Sequence, residues 1–309
     1  MRLVMAKKVK RYRQRNGLMI AMLTPYLALL IVFGIVPLIM AGFEVPQKSM
    51  SNQNGGWDAF LIVIKDFRFS LAAKHVLGFM AIFVPIMIIF VIAMALMLDA
   101  QPSKWKKYLR LAYIVPASIS GAVAVLVWYV IFEPTLSPIR ALLNAVGLKQ
   151  ATQIWQTQNL VYLLAVMAFF SLAGNWILIQ YGSLQSVSGE IIEAARVDGC
   201  TPFQLAIRIK LPLIRKYIIY MGVLIFAGGL QIFVEPQLLT TSVYTGIASA
   251  WSFDQLSYEL AFKSGDFGGA SALSLMLLLP SFLGALVVIF KTDMFDEAKA
   301  PGKPIAAEG

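Results

Sequence analysis

Apolar residues fall in six long runs, at 18–43, 76–98, 111–132, 160–183, 217–233 and 270–290, separated by polar or charged stretches. Each run reaches the roughly 17–25 residues that a helix needs to cross ~30 Å of hydrocarbon, so each predicts a transmembrane helix. Pro25 and Pro37 predict kinks in the first run, which membrane helices tolerate. The third run closes on Trp128 and Tyr129, side chains suited to the membrane interface. The fourth is the least apolar and carries Asn175 and Gln180. Between the first two runs, residues 44–74 are polar and Gly-rich around a patch at 59–64, which is too short to span and is expected to lie in the interface. The predicted fold is an all-α polytopic membrane protein with six transmembrane helices in a domain spanning 18–292.

Composition narrows the chemistry. The 309 residues are 59% hydrophobic and only 14% charged, with a mean hydropathy of +0.75. A soluble domain of this length could not hide so much apolar surface. A single Cys, Cys200, excludes an internal disulfide, and a single His, His75, argues against a His-based metal or acid–base site.

The net charge of +10 comes from basic residues flanking apolar runs, a topology signal rather than a nucleic-acid stripe, so no nucleic-acid partner is expected. Residues 1–17 are basic and carry no acid. The run behind them is too long for a signal-peptide core, which predicts an uncleaved anchor with a cytoplasmic N-terminus. With that end inside, the inner segments hold 19 of the 26 Lys and Arg and the outer segments 7. This bias puts both termini and the segment 188–212 in the cytoplasm of a multi-pass cell-membrane protein. The Pro-Gly-Ala-rich tail, 293–309, is expected to be disordered.

The segment 188–212 lies between two apolar runs and reads as a short helix, a glycine turn and a second short helix. Glu190 and Glu193 follow Ser188, where negative charge complements the helix dipole. Asp198-Gly199 is a stop signal, because Gly takes the left-handed conformation at a helix end without steric cost. Thr201-Pro202-Phe203-Gln204 restarts the chain with a hydroxyl cap, Pro at the first helical position and Gln three residues on. Leu211-Pro212 is expected to end the second helix, since a residue before Pro is pushed out of the helical region.

Glu193-Ala194-Ala195, Asp198-Gly199, Phe203 and Ile209-Lys210-Leu211-Pro212 stand at the spacing of the EAA loop. In these residues the chain resembles the permease subunits of binding-protein-dependent ABC importers. Further likeness to the sugar-permease branch covers roughly 18–292: Pro25-Tyr26, Val36-Pro37-Leu38, Pro116, Val127-Trp128, the Asn144–Leu148 string, Phe233-Val234-Glu235-Pro236 and Leu239-Thr240. Two positions depart from it. The branch usually has Asn-Thr where this chain has His75-Val76, and often Gly-Gly-Pro where this chain has Thr241-Ser242-Val243.

The resemblance implies the type I permease fold of ABC importers, carrying a carbohydrate, with 188–212 as a cytoplasmic coupling loop docking on an ATPase. It implies that Glu193, Ala194, Ala195, Asp198, Gly199, Phe203, Leu211 and Pro212 serve that coupling. The alternative for Glu193 by itself is a dipole-compensating surface acid. The implied partners are a second permease (expected as a heterodimer), two ATPase subunits, an extracytoplasmic solute-binding protein and membrane lipid. No cofactor is expected on this chain, ATP and Mg being used by the partner subunits.

In that branch the polar pocket lies on the fourth and fifth spans. The matching region here offers Asn175, Gln180, Gly228, Gly229 and Gln231, with Glu235 at its outer margin. Amides both donate and accept, which suits sugar hydroxyls, and the same residues serve equally as interhelical glue.

The residues also argue against self-sufficient chemistry. No GxxxxGK[ST] string is present to cradle ATP phosphates, and no HExxH or Cys/His cluster offers a metal site. The six runs carry no Asp, Glu, Lys or Arg away from their margins, whereas ion-driven transporters usually keep an ionisable relay within the bilayer. The expectation is a transport subunit, not an enzyme, energised from outside itself. Permeases for another polar solute such as a polyol or glycerol phosphate, a secondary transporter, and most distantly a membrane enzyme, remain the alternatives.

Overall fold

The computed structural model describes residues 20–49, 51–119, 121–242 and 248–291. The basic segment 1–17, Val243 and the tail 293–309 lie outside the described residues. Among those described, the regular structure is helical throughout. We number the helices α1 (Ile20–Glu44, with a π-helical turn at Ile31–Ile35), α2 (Ala59–Lys65), α3 (Phe67–Ala100), α4 (Ser103–Ser118), α5 (Gly121–Phe132), α6 (Arg140–Ala145), α7 (Ala151–Ile154) and α8 (Leu160–Gln185). They continue with α9 (Gly189–Val197), α10 (residues 202–213), α11 (Arg215–Leu230), α12 (Val234–Ser242), α13 (Phe253–Tyr258) and α14 (Phe267–Lys291).

Five helices or helix pairs are long and apolar enough to cross a membrane: α1, α3, α8, α11 with α12, and α14. A further apolar stretch is the helix pair α4 and α5, bent by 95° at a break where Gly121 takes φ 64°. The third predicted run is therefore a bent helix pair rather than one rod. The second span also begins earlier than its apolar run. Asp66 caps α3 by accepting from the Arg68 amide at 2.8 Å, and so nucleates the helix at Phe67. Arg68 returns to the same carboxylate from Nη2 at 2.7 Å and holds the Asp66 carboxyl below its usual range.

The chain forms two compact units: residues 1–63 with 260–275, and residues 64–259 with 276–309. In the first, Val45, Ala59 and Ala272 form a small core with Phe60 and Leu275 against it. Gly268 lets the backbone come close, since a Cβ there would meet the Glu44 and Val45 carbonyls at 3.4 Å. The buried Asp266 accepts from the Gly269 amide at 2.8 Å and from the Ser51 hydroxyl.

The second unit is built on α3 and α8, its most extensive helix pair, with α4 against α8 and α11 against α3. Phe79, Met87 and Leu98 of α3 and Leu160, Leu164, Met167 and Leu184 of α8 are fully enclosed. Lipid is as apolar as these side chains, so close fit rather than expulsion of water must favour the pairing. Gly174 on α8 shows how close the fit is. A Cβ there would lie 1.9 Å from the Tyr113 carbonyl oxygen of α4.

Candidate functional site

The segment 188–212 folds as its caps dictate. Ser188 accepts from the Glu190 amide at 3.3 Å and opens α9. Gly199, at φ 81°, closes it with two bonds that wrap the end: Cys200 N to Ala195 O at 3.0 Å and Gly199 N to Arg196 O at 3.1 Å. Thr201 and Gln204 then form a reciprocal box. The Gln204 amide donates to Thr201 Oγ1 at 3.3 Å, and the Thr201 amide donates to Gln204 Oε1 at 2.9 Å.

One expectation fails. Leu211-Pro212 does not end the second helix, because a π-helical turn at Leu205–Lys210 carries the chain through Pro212 to Leu213. The wider turn removes the clash between the proline ring and the carbonyl of the preceding turn. The chain then breaks at Ile214, φ −95° and ψ 8°, and restarts as α11.

Glu193, Ala194, Asp198 and Gly199 are exposed on this elbow, while Ala195 is buried against its base. Two apolar side chains flank the turn in the open: Val197 at 89% exposure and Phe203 at 75%. Uncovered apolar groups beside exposed acids make a surface suited to a protein partner. Val197 carries no signal in the sequence, being one more aliphatic residue on a short helix.

A second feature was not legible from the motif. Lys210 makes an ion pair with Asp99 at the end of α3; the two side chains are only 15% and 8% exposed. Gln185, at the end of α8, donates to the other oxygen of Asp99 at 2.6 Å. One carboxylate thus ties the elbow to two spans that precede it, in a pairing that sequence distance conceals.

On the other side of the elbow, α11 ends at Leu230 and α12 begins at Val234. The break borders a cavity of about 350 Å³. Phe79 and Phe83 of α3, Trp176 of α8, and Gly228, Gly229, Gln231, Phe233 and Glu235 line it. Irregular backbone at membrane depth is tolerated where it lines a cavity in this way. Four of the expected path residues therefore meet here. Gln231 also reaches Ser281 Oγ at 3.5 Å.

Gln180 and Asn175 do not line this cavity. Gln180 is fully buried and donates to the Tyr217 carbonyl at 3.0 Å, joining α8 to α11. Asn175 is exposed on α8. Of the departures, His75 stacks on Trp251 with ring centroids 5.3 Å apart, and Thr241 ends its hydroxyl on the Leu238 carbonyl at 2.9 Å.

A model of the family described as binding-protein-dependent transport system inner membrane component matches residues 92–298. The chain is 28% identical over 205 residues to the probable ABC transporter permease protein YurN of Bacillus subtilis, covering 64% of this chain and 68% of that protein. It is 24% identical over 278 residues to the arabinooligosaccharides transport system permease protein AraP of Halalkalibacterium halodurans, covering 89% of this chain and 87% of that one. Among solved structures, a chain of a bacterial alginate ABC transporter in complex with an alginate pentasaccharide-bound periplasmic protein superposes with a TM-score of 0.74. That match covers 95% of this chain and 99% of the other at 20% identity, a likeness of fold. The family model takes in the elbow, the Asp99 tie and the cavity lining apart from Phe79 and Phe83, and the chain belongs to the binding-protein-dependent transport system inner membrane components, the permeases of ABC importers.

Proposed function

We propose that this permease, with a second permease subunit, forms the membrane path for a neutral or aminated carbohydrate. Two ATPase subunits drive it by docking on the elbow, and an extracytoplasmic binding protein delivers the cargo. The cavity beside the broken fifth span carries the cargo reading. Phe79, Phe83, Trp176 and Phe233 offer ring faces to the apolar faces of a sugar, and the Gln231 amide and Glu235 carboxylate offer partners to its hydroxyls. Its lining holds Glu235 and no Lys, Arg or His, so a uronate would meet a like charge with nothing to offset it. The relative named for arabinooligosaccharides supports the same class.

Mechanistically, the elbow is continuous with α8 on one side and α11 on the other, and these two helices carry cavity residues. ATP binding closes the partner ATPases, and their motion reaches α8 and α11 through a segment stiffened by its caps. The cavity is thereby exposed to one side of the membrane and then the other. In this reading Glu193 contacts the ATPase, Val197 and Phe203 anchor in its groove, and Gly199 holds the turn.

The test starts with the cognate binding protein, screened for ligands by thermal shift. Its ligand is then offered to proteoliposomes holding the complete transporter. The proposal expects uptake that needs both ATP and the binding protein. It also expects Glu235→Gln to improve uptake of a uronate-bearing analogue relative to the neutral sugar. Uptake without ATP, or a wild-type preference for the uronate, would overturn it.

A further inference from the structure

We propose that α4 and the end of α8 form a binding site for the phosphate headgroup of an anionic membrane lipid, on the face of the membrane where the elbow lies. An open groove of about 750 Å³ there is lined by Lys106, Lys107, Arg110, Leu111, Ile114 and Tyr181, with Gln185 at its edge. Two of its cations, one turn apart on α4, meet over a single aromatic ring. The Arg110 guanidinium lies 4.7 Å and the Lys106 ammonium 5.6 Å from the Tyr181 ring centre. Arg110 Nη2 also donates to the Tyr181 hydroxyl at 2.9 Å, which fixes the guanidinium and leaves its remaining donors pointing elsewhere. The ring itself is buried at 8% exposure, so the platform is rigid.

Among the described residues, none of these three cations has a carboxylate partner. The acid that approaches this edge, Asp99, accepts from Gln185 and is already paired with Lys210. Three positive charges around one hollow with no acid in its lining call for an anion with several acceptor oxygens, and a phosphodiester fits that fork geometry.

The groove's other component decides between sources of phosphate. Leu111 and Ile114 continue its wall toward the apolar part of α4 and are 54% and 38% exposed, which suits acyl chains running on from a headgroup. On the same helix Trp105 and Tyr108 stand open at 63% and 64% exposure with ring centroids 6.3 Å apart, the amphipathic pair expected at headgroup level. Cations and interfacial aromatics share the first turns of α4 and aliphatic surface follows them, which is the order of a lipid from head to tail.

The complete transporter, purified in detergent, is incubated with vesicles of phosphatidylglycerol or of phosphatidylcholine with the same acyl chains. Lipid retained per complex is then counted by native mass spectrometry. Each Lys or Arg near anionic headgroups contributes a factor of about five, so wild type is expected to prefer phosphatidylglycerol by at least about tenfold. Lys106→Gln, Lys107→Gln and Arg110→Gln together should abolish the preference, while Lys106→Arg with Lys107→Arg should keep it. Excess inorganic phosphate should not displace the retained lipid.

Equal retention of the two lipids, or a preference that survives the triple substitution, would overturn the proposal. Displacement by inorganic phosphate would also overturn it, showing a soluble-anion site. So would loss of the second permease from the triple variant with lipid preference intact, showing a protein contact. If the triple variant fails to assemble, the wild-type lipid and phosphate arms decide, together with Arg110→Gln alone.

Discussion

A missing methyl group at position 174 sets how near α4 can come to α8, and a carboxyl at 254, on α13, gives the fold a response to pH. Gly174→Ala drives a Cβ into the Tyr113 carbonyl, so the helices must separate. The expected loss is about 1–3 kcal/mol, read as a lower melting temperature of the purified complex with the ATPase subunits still bound. Asp254, in the loop between the fifth and sixth spans, is buried enough to push its carboxyl up to about 6. Its folded pKa lies above the unfolded one, so the charged form is penalised in the native state. That penalty is complete above about pH 6 and vanishes as pH falls toward the ordinary carboxylate value of about 4. Asp254→Asn should therefore raise the melting temperature at pH 7.5 and leave it unchanged at pH 4. The two glycines differ in legibility for a plain reason. Gly199 stands between cap residues that announce a turn, whereas the partner of Gly174 is a backbone carbonyl on another span, which leaves no local trace.

Among the elements, the elbow was legible nearly residue by residue, because capping chemistry is local and acts within a few positions. Its second helix was not, since Pro212 reads as a stop unless the preceding turn widens, and the π-helical turn that allows it has no distinct sequence mark. The break between α11 and α12 falls where the fifth run was expected to end, at 233, but the expected loop instead resumes as helix at Val234, beside the cavity. The tie between Lys210 and Asp99 gives this part of the molecule its own prediction. Breaking this part-buried pair leaves the Asp99 charge with Gln185 alone, so Lys210→Met should loosen the elbow from α3. Uptake should fall by at least about tenfold while ATP hydrolysis and ATPase binding persist. Exchange of the pair, Asp99→Lys with Lys210→Asp, should recover part of the uptake. Equal loss of uptake and ATP hydrolysis would show instead that the tie serves ATPase docking.

For the molecule as a whole, six apolar runs gave the class of fold, because length and hydropathy constrain a membrane chain more tightly than a soluble one. They did not reveal that the third run bends at Gly121, or that α3 starts at the Asp66 cap. Both depend on single residues at the margins of the runs. Orientation has a direct probe in Cys200, the chain's single thiol, half-buried at the elbow. A membrane-impermeant maleimide should leave it unlabelled in intact cells and label it in inverted vesicles. The central claim, that an ATP-driven stroke enters through the elbow, is tested most directly by Gly199→Pro. Proline fixes φ near −65°, whereas position 199 requires 81°. Co-purification of the ATPase subunits with wild type and with this variant, each checked for retained helicity, is the deciding measurement. The account predicts that the folded variant loses the ATPase subunits and all ATP-dependent uptake; a variant that retains both would contradict it.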